Sequence, residues 1–369
     1  MIYRACVVGL VSALLAAAPA QAAVVSPTPD AAPTFNGTVW ATAYVGDTVY
    51  VGGDFTTATA GGASVARGRL AAFDARTGAL RSWAPSADGR VRAIAASGGL
   101  IYVAGEFGYV NGLRRDNLAR LDAASGAVRG GLVHSVGGQP YALATGNGRL
   151  YVGGSISAVD GQARYRLAAF DLATGALDAN WRPSAGATVQ ALAAAGDRVY
   201  VGGKFTGRVA AVHPASGAAD PSFRPQASDE VRALAVTDAG VYAAHGGPGG
   251  RVVAYGLDGA GRWNLTMDGD PQAITVLDGI VYFGGHFDNV CRSPRTGYKG
   301  SCLDGSIRRV KLGAAVASDG ELLPWTANGN GSAGVHALAT SAALGKLGAG
   351  GAFTAINGAP RAYFAQFSL

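Results

Sequence analysis

An all-β chain folded as a seven-bladed β-propeller of four-stranded antiparallel blades is what this sequence predicts, on three observations. A Tyr-Val-Gly-Gly tetrad or a variant of it recurs at Tyr50, Tyr102, Tyr151, Tyr200, Tyr242 and Tyr282, with a degraded copy at Gly348. At a constant distance ahead of the first six lies a strand-opening residue: Val39, Val91, Pro140, Val189, Val231 and Pro271, with Val335 slightly further ahead of the seventh. Between tetrads the chain is rich in glycine, 57 in all, low in charge at 15%, and punctuated by turn residues, which suits short buried strands. Repeats of about 40 to 50 residues with variable insertions fit one four-stranded blade each.

Each unit divides into four stretches. The first, as in Val91 to Ser97, alternates apolar residues and reads as a half-buried strand near the axis. The second carries the tetrad, whose paired glycines (Gly52-Gly53, Gly153-Gly154, Gly202-Gly203, Gly284-Gly285, Gly350-Gly351) are expected to permit close approach and unusual dihedrals where neighbours crowd. The third is of the Leu-Ala-Ala-Phe-Asp type, at Leu70, Leu118 and Leu167, and runs into Asp-x-x-Thr/Ser-Gly turns ending at Gly78, Gly126 and Gly175. Those aspartates read as turn residues that accept backbone N–H groups. The fourth ends in an aromatic and a proline, as in Trp83 and Pro85 or Trp181 and Pro183; proline fits an outer edge strand, and the aromatic is expected to fill the gap between blades.

The chain ends support a ring. Residues 1–22 read as a secretory signal peptide: Arg4, an apolar run from Cys6 to Ala18, and an Ala20-Gln21-Ala22 cleavage site. The mature domain is then 23–369. Its last unit stops at a third strand, Ala362 to Leu369, while Pro33 precedes Val39 as Pro85 precedes Val91. The N-terminal segment is therefore expected to supply the missing outer strand and close the ring, which removes exposed sheet edges.

Beyond the leader only Cys291 and Cys302 remain, inside an unusually long loop, and in an exported chain they are expected to form a disulfide. No further stretch is long and apolar enough to span a membrane. The formal charge of +6 implies a mild attraction to acidic surfaces and names no partner. No metal-ligand spacing, Ser-His-Asp arrangement, phosphate loop or nucleic-acid motif is present, so no cofactor, metal or nucleic acid is expected, and the protein is expected to be a monomer.

The double glycine, the Asp-x-x-Thr-Gly turn and the following Trp resemble kelch repeats. They are still more similar to the YVGGDF-type repeats of secreted bacterial propellers, the delta-repeat group, and of fungal cell-tip cortical markers. The resemblance covers nearly the whole mature chain and implies a fold, not a function. The run Ala71 to Trp83 also resembles the tryptophan-docking motif of quinoprotein dehydrogenases, but the tryptophan is displaced and no lysine follows Gly78. Galactose oxidase, also kelch-like, needs a cysteine bonded to a tyrosine, for which this chain has no spare cysteine.

Function is expected on the face carrying the connections between second and third strands, which vary most in length; the loop Asn289 to Arg309 should rise as a wall beside the low fourth and fifth blades. The residue after the glycine pair differs in every unit: Asp54, Glu106, Ser155, Lys204, Gly246, His286 and Ala352. Read as a polar ring, it makes Asp54 and Glu106 paired carboxylates suited to acid–base work, with Lys204 and His286 meeting an acidic substrate. Candidate catalytic residues are thus Asp54, Glu106, Lys204 and His286; candidate binding residues are His286, Asp288, Lys204 and His245. Asp268-Gly269-Asp270 reads as a turn rather than a calcium loop. Arg69, Arg166, Arg208, Arg251 and Lys311, each just ahead of a third strand, form a basic stripe that either meets anionic polymer or is a solvated face. The function expected is a non-enzymatic extracellular or cell-surface binding module for a glycan, wall polymer or protein. The alternative is a carbohydrate-active enzyme, a lyase or glycoside hydrolase, with its site at the channel mouth.

Overall fold

The computed structural model describes residues 23–247 and 249–369; the expected leader, residues 1–22, lies outside the described residues. The elements are strands, with two single-turn 3-10 helices among the described residues, and no described helix is long and apolar enough to cross a membrane. Seven antiparallel sheets recur with one order, inner strand to second to third. In the first unit these are Val39–Val45, Thr48–Gly53 and Leu70–Asp74. The inner strands of the others begin at Arg90, Pro140, Val189, Val231, Asp270 and Val335. Valine and alanine at alternating buried positions account for the inner strands, and the tetrad strands are buried on both faces.

The fourth strand departs from expectation. Among the described residues only the fifth unit has a full outer ladder, Gly261–Thr266 on Arg251–Tyr255. In units one, two, three, four and six the fourth stretch touches its neighbour through one bridge, such as Phe73 with Leu80 or Phe170 with Leu177. The sequence explains the difference. Pro85, Pro183, Pro221 and Pro324, or the Gly130-Gly131 pair, interrupt those stretches soon after the bridge, and proline supplies no N–H to a ladder. The run Arg262 to Thr266 has neither.

The hydrophobic core is distributed between neighbouring sheets. One cluster joins Tyr50, Leu70 and Trp83 of the first unit to Val91, Ile101 and Val103 of the second, and equivalent clusters follow along the chain. The tetrad tyrosine meets the fourth-stretch aromatic in each case where both exist: Tyr50 with Trp83 at 5.0 Å, Tyr151 with Trp181 at 5.1 Å, Tyr200 with Phe223 at 5.3 Å, Tyr242 with Trp263 at 6.0 Å and Tyr282 with Trp325 at 5.4 Å. Both reach the next sheet, Trp83 donating Nε1–H to Asp122 O at 2.9 Å and Tyr50 donating to Ala123 O at 2.7 Å. The aromatic fills the gap between sheets, as the sequence implies.

The glycine pairs are about space rather than dihedral angle. A Cβ on Gly52 would lie 2.5 Å from Val91 Cγ1, and one on Gly53 only 2.0 Å from Thr38 O. None of the five pairs has positive φ, so the unusual dihedrals expected there are not found. The same contact joins the ends of the chain: a Cβ on Gly350 would lie 2.6 Å from Val39 Cγ1. Beside it, Ser26 N–H donates to Ser368 O (2.6 Å) and Asp30 N–H to Gln366 O (2.7 Å), the latter matching Arg81 N–H to Ala72 O in the first unit. Val25 N–H donates to Tyr282 OH at 3.0 Å, in the place where Ala123 meets Tyr50.

Connections between second and third strands form small hairpins in units one, two, three, six and seven, for example Thr57–Ala60 with Ala63–Ala66. The hairpin Asn289–Cys291 with Ser306–Arg308 carries the Cys291–Cys302 disulfide, Cα atoms 5.1 Å apart. It packs on the fifth unit, where a Cβ on Gly249 would touch Thr296. Because the bridge closes a short loop, reduction or Cys291→Ser is expected to cost about 2 to 3 kcal/mol without unfolding the remainder. Thermal melts with and without reductant measure this; an unchanged midpoint contradicts it.

Candidate functional site

Every inner strand carries a β-bulge near its start, at the second residue or, in the second and sixth units, the third. In the first unit Val39 pairs with Gly53 and Ala41 with Gly52, leaving Trp40 unpaired, and the same register shift recurs in the other six. A bulge re-aims the extra side chain. The seven extra residues, Trp40, Arg92, Tyr141, Gln190, Arg232, Gln272 and His336, together line one cavity of about 370 Å³.

The wall is held in place by an electrostatic frame. Trp40 Nε1–H donates to Asp54 Oδ2 (2.7 Å), and Arg90 Nε to Asp54 Oδ1 (2.6 Å). Arg92 donates through Nε to Glu106, which also lies 3.8 Å from Arg90 Nη1. Elsewhere in the lining, Arg232 Nη2 pairs with Glu230 (2.7 Å) and Asp270 (2.9 Å), and Lys204 lies 3.4 Å from Glu230. His336 stacks on Trp40 at 4.1 Å, and the Arg92 guanidinium lies 5.0 Å from the Trp40 ring and 5.5 Å from that of Tyr141. Burial, reinforced by the charges of Arg92, Arg232 and Arg90, pulls the His336 pKa down to about 4, so the ring is neutral at pH 7.

The sequence candidates fall around this cavity rather than in it. Asp54 and Glu106 are brought together, bridged by Arg90, and both are ion-paired. Burial would raise the Asp54 carboxyl, but hydrogen bonds from Arg90 and Trp40 outweigh it and hold it below the usual range. Lys204 is engaged with Glu230, and His286 sits exposed at the end of its strand; neither lines the cavity. Asp288 accepts from Lys311 Nζ at 2.8 Å. His245, 2% exposed, occupies the place of the second tetrad glycine. Its Nδ1 lies 3.2 Å from Asp229 O and its Nε2 3.1 Å from Tyr255 OH, and burial lowers its pKa. It borders a separate cavity of about 410 Å³ with Asp229, Arg251, Trp263 and Pro294 of the disulfide loop.

The basic stripe has a conformational role. Arg69, Arg166, Arg208 and Lys311 all have φ between 62° and 76°, a left-handed step into the third strand. The arginine heads cap carbonyls: Arg69 on Ala87 O (2.9 Å), Arg166 on Ser155 O (3.0 Å), Arg208 on Lys204 O (2.7 Å). The turn aspartates behave as expected, Asp74 Oδ1 accepting from Arg76 N–H and Thr77 N–H, and Asp268 Oδ1 accepts from Asp288 N–H and Asn289 N–H.

The column of bulge residues is not among the candidates the sequence suggests. Its signal is the column directly after Val39, Val91 and their counterparts, where polar and aromatic residues interrupt valine- and alanine-rich strands.

Comparisons with known proteins bear on the fold. Residues 99–128 match the family described as a domain of unknown function (DUF5122) beta-propeller. The WD40 beta propeller domain of Doa1 superposes with a TM-score of 0.56 at 13% identity, covering 92% of this chain and 96% of that one. The fold is a β-propeller. The computationally designed Ika8 protein is similar as well, with a TM-score of 0.53 at 16% identity over 92% of this chain and 98% of that one. No curated protein matches.

His336 gives the propeller a pH signature. Its folded pKa lies below the ordinary 6.5, so the unfolded chain takes up the proton first. The stability carried by the neutral ring is intact above pH 6.5 and lost as pH falls toward 4, on the order of 2 to 3 kcal/mol. His245 titrates in the same direction. Urea midpoints at pH 7 and 4.5 should therefore differ less in His336→Gln than in the wild type; equal differences contradict the assignment.

Proposed function

We propose that this chain is an exported, monomeric binding module: a seven-bladed β-propeller, closed through its N-terminal segment, that holds a glycan, wall polymer or protein at its axial cavity. The observation that carries this reading is the convergence of seven bulge residues, one from each inner strand, on a single cavity lined by arginine, glutamine, tyrosine, tryptophan and histidine. Cavities of a few hundred Å³ with a few convergent polar groups are the usual form of small-ligand sites. Seven sheets in one repeated order, with Gly350 meeting Val39 as Gly52 meets Val91, support the closed ring. Export rests on the leader expected in residues 1–22, and the Cys291–Cys302 disulfide is in keeping with it.

The rival reading, a lyase or glycoside hydrolase, needs one carboxyl kept protonated or free to attack. Asp54 is held ionised against Arg90, and Glu106 is tied to Arg92, which favours a structural role for both.

The test is a retention and turnover screen of the mature protein on purified cell-wall and plant polysaccharides. Retention without products, weakened tenfold or more by Arg92→Ala, is the expected result. Product release that disappears in Asp54→Asn/Glu106→Gln would establish the enzyme instead.

A further inference from the structure

Resting on the binding reading above, we infer that the ligand of the axial cavity is an acidic sugar: a ring bearing a carboxylate together with free hydroxyl groups. The lining holds no carboxylate of its own. Arg92 and Arg232 are the second and fifth of its seven residues and so face each other across it, while their partners Glu106, Glu230 and Asp270 stand outside the lining.

Those partners engage only part of each guanidinium. Arg92 is held through Nε, which leaves both terminal nitrogens without an acceptor among the described residues. Arg232 is held through Nη2, and its Nε is buried with no partner among the described residues. The paired terminal nitrogens of Arg92 match a carboxylate in two-point geometry, while Arg232, whose Nη2 is taken by two acids and whose Nε packs against Gly246, offers Nη1 as a one-point contact. The outward acids fix the guanidinium planes and keep the side chains from collapsing on each other, so the donors are pre-positioned.

An anion alone does not complete the site. Gln190 Oε1 is buried and has no donor among the described residues, and a buried acceptor left unpaired is unfavourable. Tyr141 donates its hydroxyl proton to Gln139 Oε1 at 3.0 Å, so its oxygen retains acceptor capacity toward the cavity. Fully ionised phosphate or sulfate brings acceptors only. A hydroxylated acid brings acceptors for the two arginines and O–H donors for Gln190 and Tyr141 at once. Trp40 contributes shape rather than a stacking face, since His336 covers one side and Arg92 lies over the ring.

The test titrates the mature protein by calorimetry with oligogalacturonates and with the same oligomers carboxyl-reduced to neutral sugars. Acidic oligomers are expected to bind at least tenfold more tightly than the reduced ones. Arg92→Gln and Arg232→Gln should each remove that preference, and Arg92→Lys, which keeps charge but not the two-point fork, should restore only part of it. Circular dichroism checks each variant's fold, and Arg92→Lys serves if the glutamine variants do not fold. Equal binding of acidic and reduced oligomers, lost together in Trp40→Ala, would overturn the inference while leaving the binding reading intact. Inorganic phosphate competing as well as the oligomer, or a peptide binding through its free C-terminal carboxylate in place of sugars, would also overturn it. Binding of any of these that survives Trp40→Ala and both arginine variants would overturn the binding reading itself.

Discussion

Replacing Gly53 by alanine is expected to destabilise the protein by at least about 3 kcal/mol, because the new methyl group has nowhere to go. Its Cβ would lie 2.0 Å from Thr38 O and 3.1 Å from Phe55 Cδ1. Thr38 O cannot move freely, since it accepts the Asp54 N–H at 2.9 Å, and Gly53 N–H is itself bonded to Arg69 O at 3.0 Å. The clash falls on the carbonyl just ahead of the inner strand whose second residue is the bulged Trp40. The damage should therefore reach the cavity wall as well as the fold. Gly46→Ala is the control: its φ of 55° is strained for alanine, but open space surrounds it, and about 1 kcal/mol is expected. Urea unfolding of both variants measures the difference; a Gly53→Ala midpoint within error of Gly46→Ala contradicts the close-approach argument.

Removing residues 23–33 is expected to lower the melting temperature by more than about 10 °C or to abolish soluble protein. The segment buries Val25 to 1% exposure in the cluster that includes Tyr282, Trp325 and Phe367. It also pairs Ser26 and Asp30 with the last strand, and places Asp30 2.6 Å from Lys346 Nζ. Without it, the strand Phe364–Ser368 presents an unpaired edge. Grafting 23–33 after Leu369 through a short turn should restore stability, because Ser26 lies against Ser368 in the antiparallel sense of a hairpin. A truncated chain as stable as the parent contradicts the closing role; a graft that fails while the truncation is damaging places that role in connectivity rather than in pairing.

Much of the fold is legible because each signal is local and repeated. The tetrad, the Asp74-to-Gly78 turn and its copies, and the Tyr50–Trp83 type of contact each depend on residues within one unit and its neighbour. The outer strand was over-read: an apolar run looks like a strand, but Pro85 or Pro183 ends it after one bridge. The bulge was hidden because the extra residue is present in every unit, so the spacing from Val39 to Tyr50 stays constant and nothing stands out. Asp54 and Glu106 stand beside the cavity lining as ion-paired groups. Their pairing was invisible because Arg90 and Arg92 belong to a different strand from Asp54 and Glu106, and in the case of Asp54 to the next unit.

The measurement that bears most directly on the proposed axial site is hydrogen exchange of residues 23–369 with and without saturating captured polymer. Protection concentrated at the bulges, around Trp40, Arg92, Tyr141, Gln190, Arg232, Gln272 and His336, is the result this account predicts. Protection confined to the Asn289–Arg308 hairpin and the cavity beside His245, with the inner strands unchanged, would contradict it.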